Sequence, residues 1–218
     1  MSSAVFQLII MGVIAVVLFL RLRNVLGTRD GFEPKADTKP SAKGLPRGFE
    51  VIEGGPDRDI ADHVDIASDA GKAFAAMKAV EPDFSVTEFQ GGARQAYEMI
   101  LMAFEGGDLD TLDNFLSPEV YETFETVINE RREKGLTVDA QFVGVSEMKI
   151  INATFDPVSK EAEVTLRFVA ELTSVVRNAE GDIVEGEPNK IKRQTDIWTF
   201  ARKMGQDNPN WELVATGG

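Results

Sequence analysis

Seventeen consecutive residues near the start of the chain, Ala4 to Leu20, carry no charged side chain. At the helical rise of about 1.5 Å per residue, such a run extends roughly 25 Å. That is close to the hydrocarbon thickness of a bilayer, and Ser2 and Ser3 can lengthen it. Helices buried in soluble cores are seldom apolar on every face, so the run is expected to be a transmembrane anchor. A cleaved signal peptide carries its positive charge ahead of the apolar stretch. Here only Met1-Ser2-Ser3 precedes it, and Arg21, Arg23 and Arg29 follow it. Bases on the C-terminal side set the topology: N-terminus outside, the rest of the chain in the cytoplasm.

The formal charge of −13 is unevenly distributed. Residues 1–26 carry two bases and no acid, residues 27–82 are net −3, and residues 83–218 are net −12. A domain this acidic does not suit the phosphate backbone of nucleic acid. Anionic headgroups repel it as well, which leaves membrane attachment to the apolar run. The chain has no cysteine, so disulfides, thiol catalysis and thiolate metal sites are excluded.

Three segments follow: the anchor and its basic flank at 1–26, a linker at 27–82, and a folded domain at 83–218. Gly and Pro recur from Gly31 to Pro56 between mixed charges, a composition that cannot bury enough apolar surface to offset its ordering entropy. A weak helix is expected at 61–80, with Ile60, Val64, Ala67, Phe74, Met77 and Val80 as apolar positions. Gly71 and the acids from Asp57 to Asp69 weaken it. The sole histidine, His63, has no second His or Cys with which to share a metal and reads as solvated.

The domain opens with Ser85-Val86-Thr87-Glu88, a capping box. Phe89, Ala93, Ala96, Tyr97, Ile100, Ala103 and Phe104 then recur at helical spacing. Gly91-Gly92 within this helix is expected to mark close packing against a neighbour, and Gly106-Gly107 ends it. A short helix is expected at 108–115. Ser117-Pro118 starts a third, whose stripe is Val120, Tyr121, Phe124, Val127 and Ile128 and whose end is Gly135. Beyond Gly135 the period switches to two. Residues 142–155, 161–172, 191–201 and 211–215 read as strands, joined by turns at Asp156-Pro157, Asn178 to Asp182 and Asn208-Pro209-Asn210. Helices followed by a meander of strands predict an α+β domain with an antiparallel sheet.

No catalytic constellation stands out. GxSxG, P-loop and Rossmann signatures are absent, and residues 83–218 contain neither His nor Cys, so the commonest general base is missing. No cofactor is expected, and no metal. Asp196 shares a strand face with Trp198 and Phe200, an unusual place for an acid, and is expected to face solvent or pair with a Lys or Arg. A carboxylate within hydrogen-bond reach of a Tyr or Trp at a cavity floor would be the one arrangement favouring an enzyme. If helices over a curved sheet enclose a cavity, its candidate lining, or a partner-binding set, is Tyr97, Phe104, Phe124, Phe168 and Trp198.

Several blocks carry a family resemblance: 22–33 just after the anchor, Gly92 to Ile100, Ala103 to Asp108, Leu116 to Tyr121, Ile197 to Arg202, and Pro209 to Leu213. In order and spacing they resemble the bacterial TimA family of adaptor proteins. That family shares its C-terminal domain with the peripheral scaffold subunit of the mitochondrial inner-membrane presequence translocase. The resemblance implies a cone-shaped fold like that of nuclear transport factor two, helices packed on a curved antiparallel sheet. It also implies a non-enzymatic role at a bacterial inner membrane, tethering other proteins there. The alternative is a small-ligand or enzymatic module that uses the cavity of the cone.

Overall fold

In the second strand of the sheet, every other residue is sealed from water. Ala162, Val164, Leu166, Phe168, Ala170 and Leu172 are at most 1% exposed, whereas Glu163, Thr165 and Arg167 between them are only partly covered. The computed structural model describes residues 57–217. This strand, β2 (Glu161–Arg177), pairs antiparallel with β1 (Thr137–Phe155) on one side and β4 (Lys192–Lys203) on the other. β5 (Glu212–Gly217) follows β4, and β3 (Ile183–Gly186) pairs with the far end of β2. Short turns join successive strands, so antiparallel pairing is the only arrangement open to them.

The register of β1 against β2 slips between Phe142 and Gly144, between Val145 and Glu147, and between Ile150 and Asn152. Each slip is an extra residue that bends the strand. Three in one strand curl the sheet and give it a concave face.

Helices fill that face. α3 (Val86–Gly106) lays Phe89, Ala93, Tyr97, Ile100 and Leu101 into the core. The Ser85 hydroxyl accepts from the Glu88 amide at 3.2 Å to start it. Gly107 ends it at φ +70°, a left-handed conformation that glycine adopts without strain. α4 (Leu109–Asp113) and α5 (Pro118–Glu133) follow, with Leu112, Val120 and Ile128 buried. The helices and strands expected between 85 and 217 are thus present, with ends shifted by a few residues.

The linker expectation is corrected at its C-terminal end. Two helices precede the expected boundary at 83: α1 (Arg58–Ala61) and α2 (Asp69–Val80). Ile60, Phe74 and Met77 join the same buried cluster as the sheet and α3. The fold therefore includes residues from 57 onward. Sequence periodicity understated α2 because five of its 12 residues are alanines and Phe74 and Met77 are its only fully buried large side chains. Gly71 does not weaken the helix. It is required there, because a Cβ at that position would collide with the backbone of Asp65 and Ile66. Two of the acids that argued against order satisfy local amides: Asp57 caps α1 by accepting from the Asp59 amide, and Asp65 accepts from the Ala67 amide in the turn before α2.

Gly91 and Gly92 pack against nothing. A Cβ built on either meets no atom within 4 Å, contrary to the close contact expected. The anchor 4–20, its flank Arg21, Arg23 and Arg29, and the linker up to residue 56 lie outside the described residues. Among the described residues no helix is long and apolar enough to cross a membrane.

Candidate functional site

An open cleft of about 590 Å³ lies beside the first half of α3. The corner between α2 and α3 (residues 81–85) forms one wall, Phe115 at the end of α4 another, and the Pro209–Trp211 turn with Phe200 and Arg202 of β4 a third. Its aromatic surface is continuous. The ring of Phe89 lies 4.5 Å from Trp211 and 6.4 Å from Phe200, and Phe84 lies 6.0 Å from Trp211.

Backbone pairing explains why Trp211 and Phe115 share this cleft. The Leu213 amide donates to the Phe115 carbonyl at 2.7 Å, and the Ser117 amide donates to the Leu213 carbonyl at 3.0 Å. The start of β5 is thereby stitched to the α4–α5 connection. On the α3 side, Gly92, Ala93 and Ala96 line the cleft with little or no side chain, and Met99, 42% exposed, stands at its rim. The bare backbone at Gly92 leaves room in the cleft, whereas sequence reasoning expected the pair to pack against a neighbour.

Arg202 braces the far wall and is 7% exposed. One guanidinium nitrogen donates to Glu81 at 2.6 Å, another donates to the Pro209 carbonyl at 3.2 Å, and the guanidinium carbon lies 5.4 Å from the Trp211 ring centre. Glu81 also accepts from the Gly205 amide at 3.1 Å. Burial pushes the Glu81 carboxyl up, but Arg202 and that amide outweigh it and hold the group below its ordinary range. Asp83 and Glu88 add two more carboxylates to the rim. The acidity continues beyond it: the 36 residues from Gln95 to Glu130 contain nine acids and no Lys or Arg.

None of the five aromatics expected to line a cavity lies in this cleft. Tyr97, Phe168 and Trp198 come together in the core, Tyr97 stacked on Phe168 at 4.3 Å and 4.6 Å from Trp198. Phe104 and Phe124 form a separate half-buried pair at 4.7 Å, with the Arg131 guanidinium 4.4 Å over Phe104. Asp196, expected to face solvent or pair with a Lys or Arg, is half-buried. It accepts from the Tyr97 hydroxyl at 2.6 Å and from Gln194 at 2.8 Å. His63, expected to be solvated, hydrogen-bonds Thr87 at 2.8 Å. Among the described residues no group of His, Asp and Glu is arranged to hold a metal. The cleft aromatics Phe84, Phe89, Phe115 and Trp211 were missed as a set. The only local signals for them were the Asn-Pro-Asn turn just before Trp211 and the unexplained glycine pair on α3.

The model of the Tim44-like domain family matches residues 70–218. The chain belongs to this family. Its Tim44-like domain is 26% identical over 117 residues to the human mitochondrial import inner membrane translocase subunit TIM44. The match covers 53% of this chain and 25% of the human one. Against the Arabidopsis thaliana subunit TIM44-1 the identity is 22% over 152 residues, covering 67% of this chain and 32% of that one. The chain thus spans about a quarter to a third of the length of these relatives. Among solved structures, the intermembrane space region of the chloroplast protein ARC6 aligns over 57% of this chain and 94% of its own, at 13% identity and a TM-score of 0.37. The Tim44-like match opens inside α2 and takes in the whole cleft, while α1 lies ahead of it.

Proposed function

We propose that this protein is a membrane-tethered, non-enzymatic adaptor of the TimA type, and that its Tim44-like domain receives a basic, amphipathic segment of another protein in the cleft. In this reading residues 4–20 anchor the chain in a bacterial inner membrane, with the N-terminus outside and the domain in the cytoplasm. The observation that carries it is the pairing of an aromatic floor with an acidic rim. Phe84, Phe89, Phe115 and Trp211 offer apolar area to one face of a docked segment. Asp83 and Glu88 offer charge to its other face. An amphipathic helix in a groove is a recurring mode of peptide recognition. The relatives named above are subunits of a protein-import translocase, and handling other polypeptides is consistent with that kinship.

The enzymatic alternative has one observation in its favour, the carboxylate of Asp196 within hydrogen-bond reach of Tyr97. The pair does not line the cleft, and Tyr97 is fully buried between Phe168 and Trp198. Asp196 itself is partly covered, and the adaptor reading rests on the cleft rather than on this pair.

The test is photo-crosslinking of the full chain in native membranes. A photoreactive residue at Met99, on the cleft rim, is compared with one at Val158, 91% exposed on the β1–β2 turn. The expected result is a defined adduct from Met99 alone, lost on adding a basic amphipathic peptide and unaffected by its charge-reversed counterpart. Equal labelling at both sites, or indifference to the peptide's charge, would overturn the cleft assignment. Deleting residues 4–20 should abolish capture at the membrane. A C-terminal reporter active only outside the cytoplasmic membrane should stay silent, and strong signal from it would reverse the topology.

A further inference from the structure

α1 occupies an odd position. It is one turn long, lies ahead of the family match, and directly follows the N-terminal 56 residues. It is nevertheless held by more polar contacts than its size requires. The Asp59 carboxylate accepts from the Val86 amide at 2.7 Å, the Thr87 amide at 2.9 Å and the Ser85 hydroxyl at 3.0 Å. These are the first residues of α3, where backbone donors lack intrahelical partners. Lys78, in the last turn of α2, reaches both Asp57 and Asp59 at 2.8 Å. His63 adds the bond to Thr87, and Ile60 is buried at 2% exposure beneath the turn.

The contacts therefore bridge two helix ends, the C-terminus of α2 and the N-terminus of α3. The chain between those ends, residues 81–85, is a wall of the cleft, and Ser85, Glu88 and Phe89 of the first α3 turns line it. The Asp59 carboxylate, with Lys78 and His63, thus ties α1 to the frame of the cleft.

We propose that residues 57–64 act as a clasp coupling the chain's N-terminal segment to the cleft. Seated, the clasp fixes the first turn of α3 and the 81–85 corner in the arrangement that brings Phe84 and Phe89 against Trp211. Withdrawn, it frees that corner, loosens the cleft wall and takes Ile60 from the edge of the core, while the strand pairing of the sheet stays intact. A pull on the N-terminal segment then reaches the binding surface before it reaches the sheet. The inference concerns coupling within the chain and holds whatever the cleft binds.

Hydrogen–deuterium exchange on the full chain in detergent micelles tests it with two variants. Asp59→Ala removes the three bonds to the start of α3 and one of the two Lys78 ion pairs, and Lys78→Met removes both ion pairs while leaving the α3 cap. Asp59→Ala should speed exchange at 81–93 by about tenfold and leave residues 162–170 of β2 unchanged. Acrylamide quenching of Trp211 fluorescence should rise, while buried Trp198 stays protected. Lys78→Met should change both readouts in the same direction by less. If residues 57–64 are released but exchange at 81–93 and the quenching of Trp211 stay at wild-type values, α1 is surface decoration and the proposal fails. If Asp59→Ala also loses protection in β2, Lys78→Met decides by the same criteria.

Discussion

The hydroxyl of Tyr97 donates to the carboxylate of Asp196 at 2.6 Å, joining α3 to β4 across 99 residues of chain. Gln194 donates to both groups, at 2.8 Å to Asp196 and 3.3 Å to Tyr97. Burial raises the Tyr97 pKa, and the neighbouring carboxylate raises it further, well above its usual range. The phenol is therefore kept protonated as a permanent donor, which satisfies polar atoms inside an aromatic core. Tyr97→Phe should cost about 1–2 kcal/mol in urea unfolding, the usual cost of leaving a partly buried acceptor short of a donor. Capture of a partner at Met99 should survive in the folded fraction. Loss of capture at unchanged stability would instead make the pair functional. A group whose pKa is raised on folding stabilises below its ordinary value, here 10.0, and that contribution fades as pH climbs above it. Alkaline destabilisation should therefore be shallower in Tyr97→Phe.

At the acid end the sign reverses. Burial pushes the Asp59 carboxyl up, but hydrogen bonds from Lys78, Thr87 and Val86 outweigh it and hold the pKa well below its ordinary 3.8. Glu81 is likewise held below its ordinary 4.5. Depressed carboxylates stabilise above their ordinary values and lose that contribution as pH falls below them. Stability should decline from about pH 5 downward, and Asp59→Asn should flatten part of the slope. Glu105 opposes this trend: its burial raises its pKa, and Arg131 and Lys192 only partly offset that. Glu105→Gln is expected to preserve or raise stability at neutral pH, as thermal unfolding followed by circular dichroism would show.

These networks also show which parts of the fold the sequence disclosed. Ser85, Gly107 and Ser117-Pro118 act within four residues of themselves, so helix ends were readable. The alternation along β2 was readable because one face of that strand is sealed from Ala162 to Leu172. Tyr97, Phe168 and Trp198 belong to such periodic stripes, and a periodic stripe identifies core, which is where they are. Phe84 sits just before a helix cap, Phe115 just after a helix, and Trp211 just after a turn. Periodicity carries no information at such corners. That Phe84 meets Trp211, 127 positions away, depends on how α3, α4 and β5 pack together.

Gly91 and Gly92 separate stability from access. Both are solvent-facing helix positions with open space where a Cβ would stand. Gly91→Ala should raise stability by about 0.5–1 kcal/mol, the helix-propensity difference. Gly92→Phe should retain a normal Tm while filling the cleft, so adduct formation from Met99 should fall. Unchanged capture with a filled cleft would place the partner elsewhere on the domain.

Arg202 offers the sharpest test of how the cleft wall is held. It is nearly buried, its Nε finds no hydrogen-bond partner, and the rest of its guanidinium is shared among Glu81, Pro209 and the face of Trp211. Removing one member of a buried ion pair leaves the other charge uncompensated. Arg202→Met should therefore cost about 3 kcal/mol in chemical denaturation. Much of that cost comes from the stranded Glu81, so Arg202→Met combined with Glu81→Gln should recover a large part of it. Arg202→Lys should fall between the two, because an ammonium keeps the charge but loses the planar fork that reaches Glu81 and Pro209 together. In every Arg202 variant the Pro209–Trp211 turn loses its brace, so Trp211 emission should shift to the red even where the double substitution restores stability. Restored stability with wild-type emission would show that the turn is held by the β5 pairing at Leu213 alone, and that Arg202 serves only to neutralise Glu81.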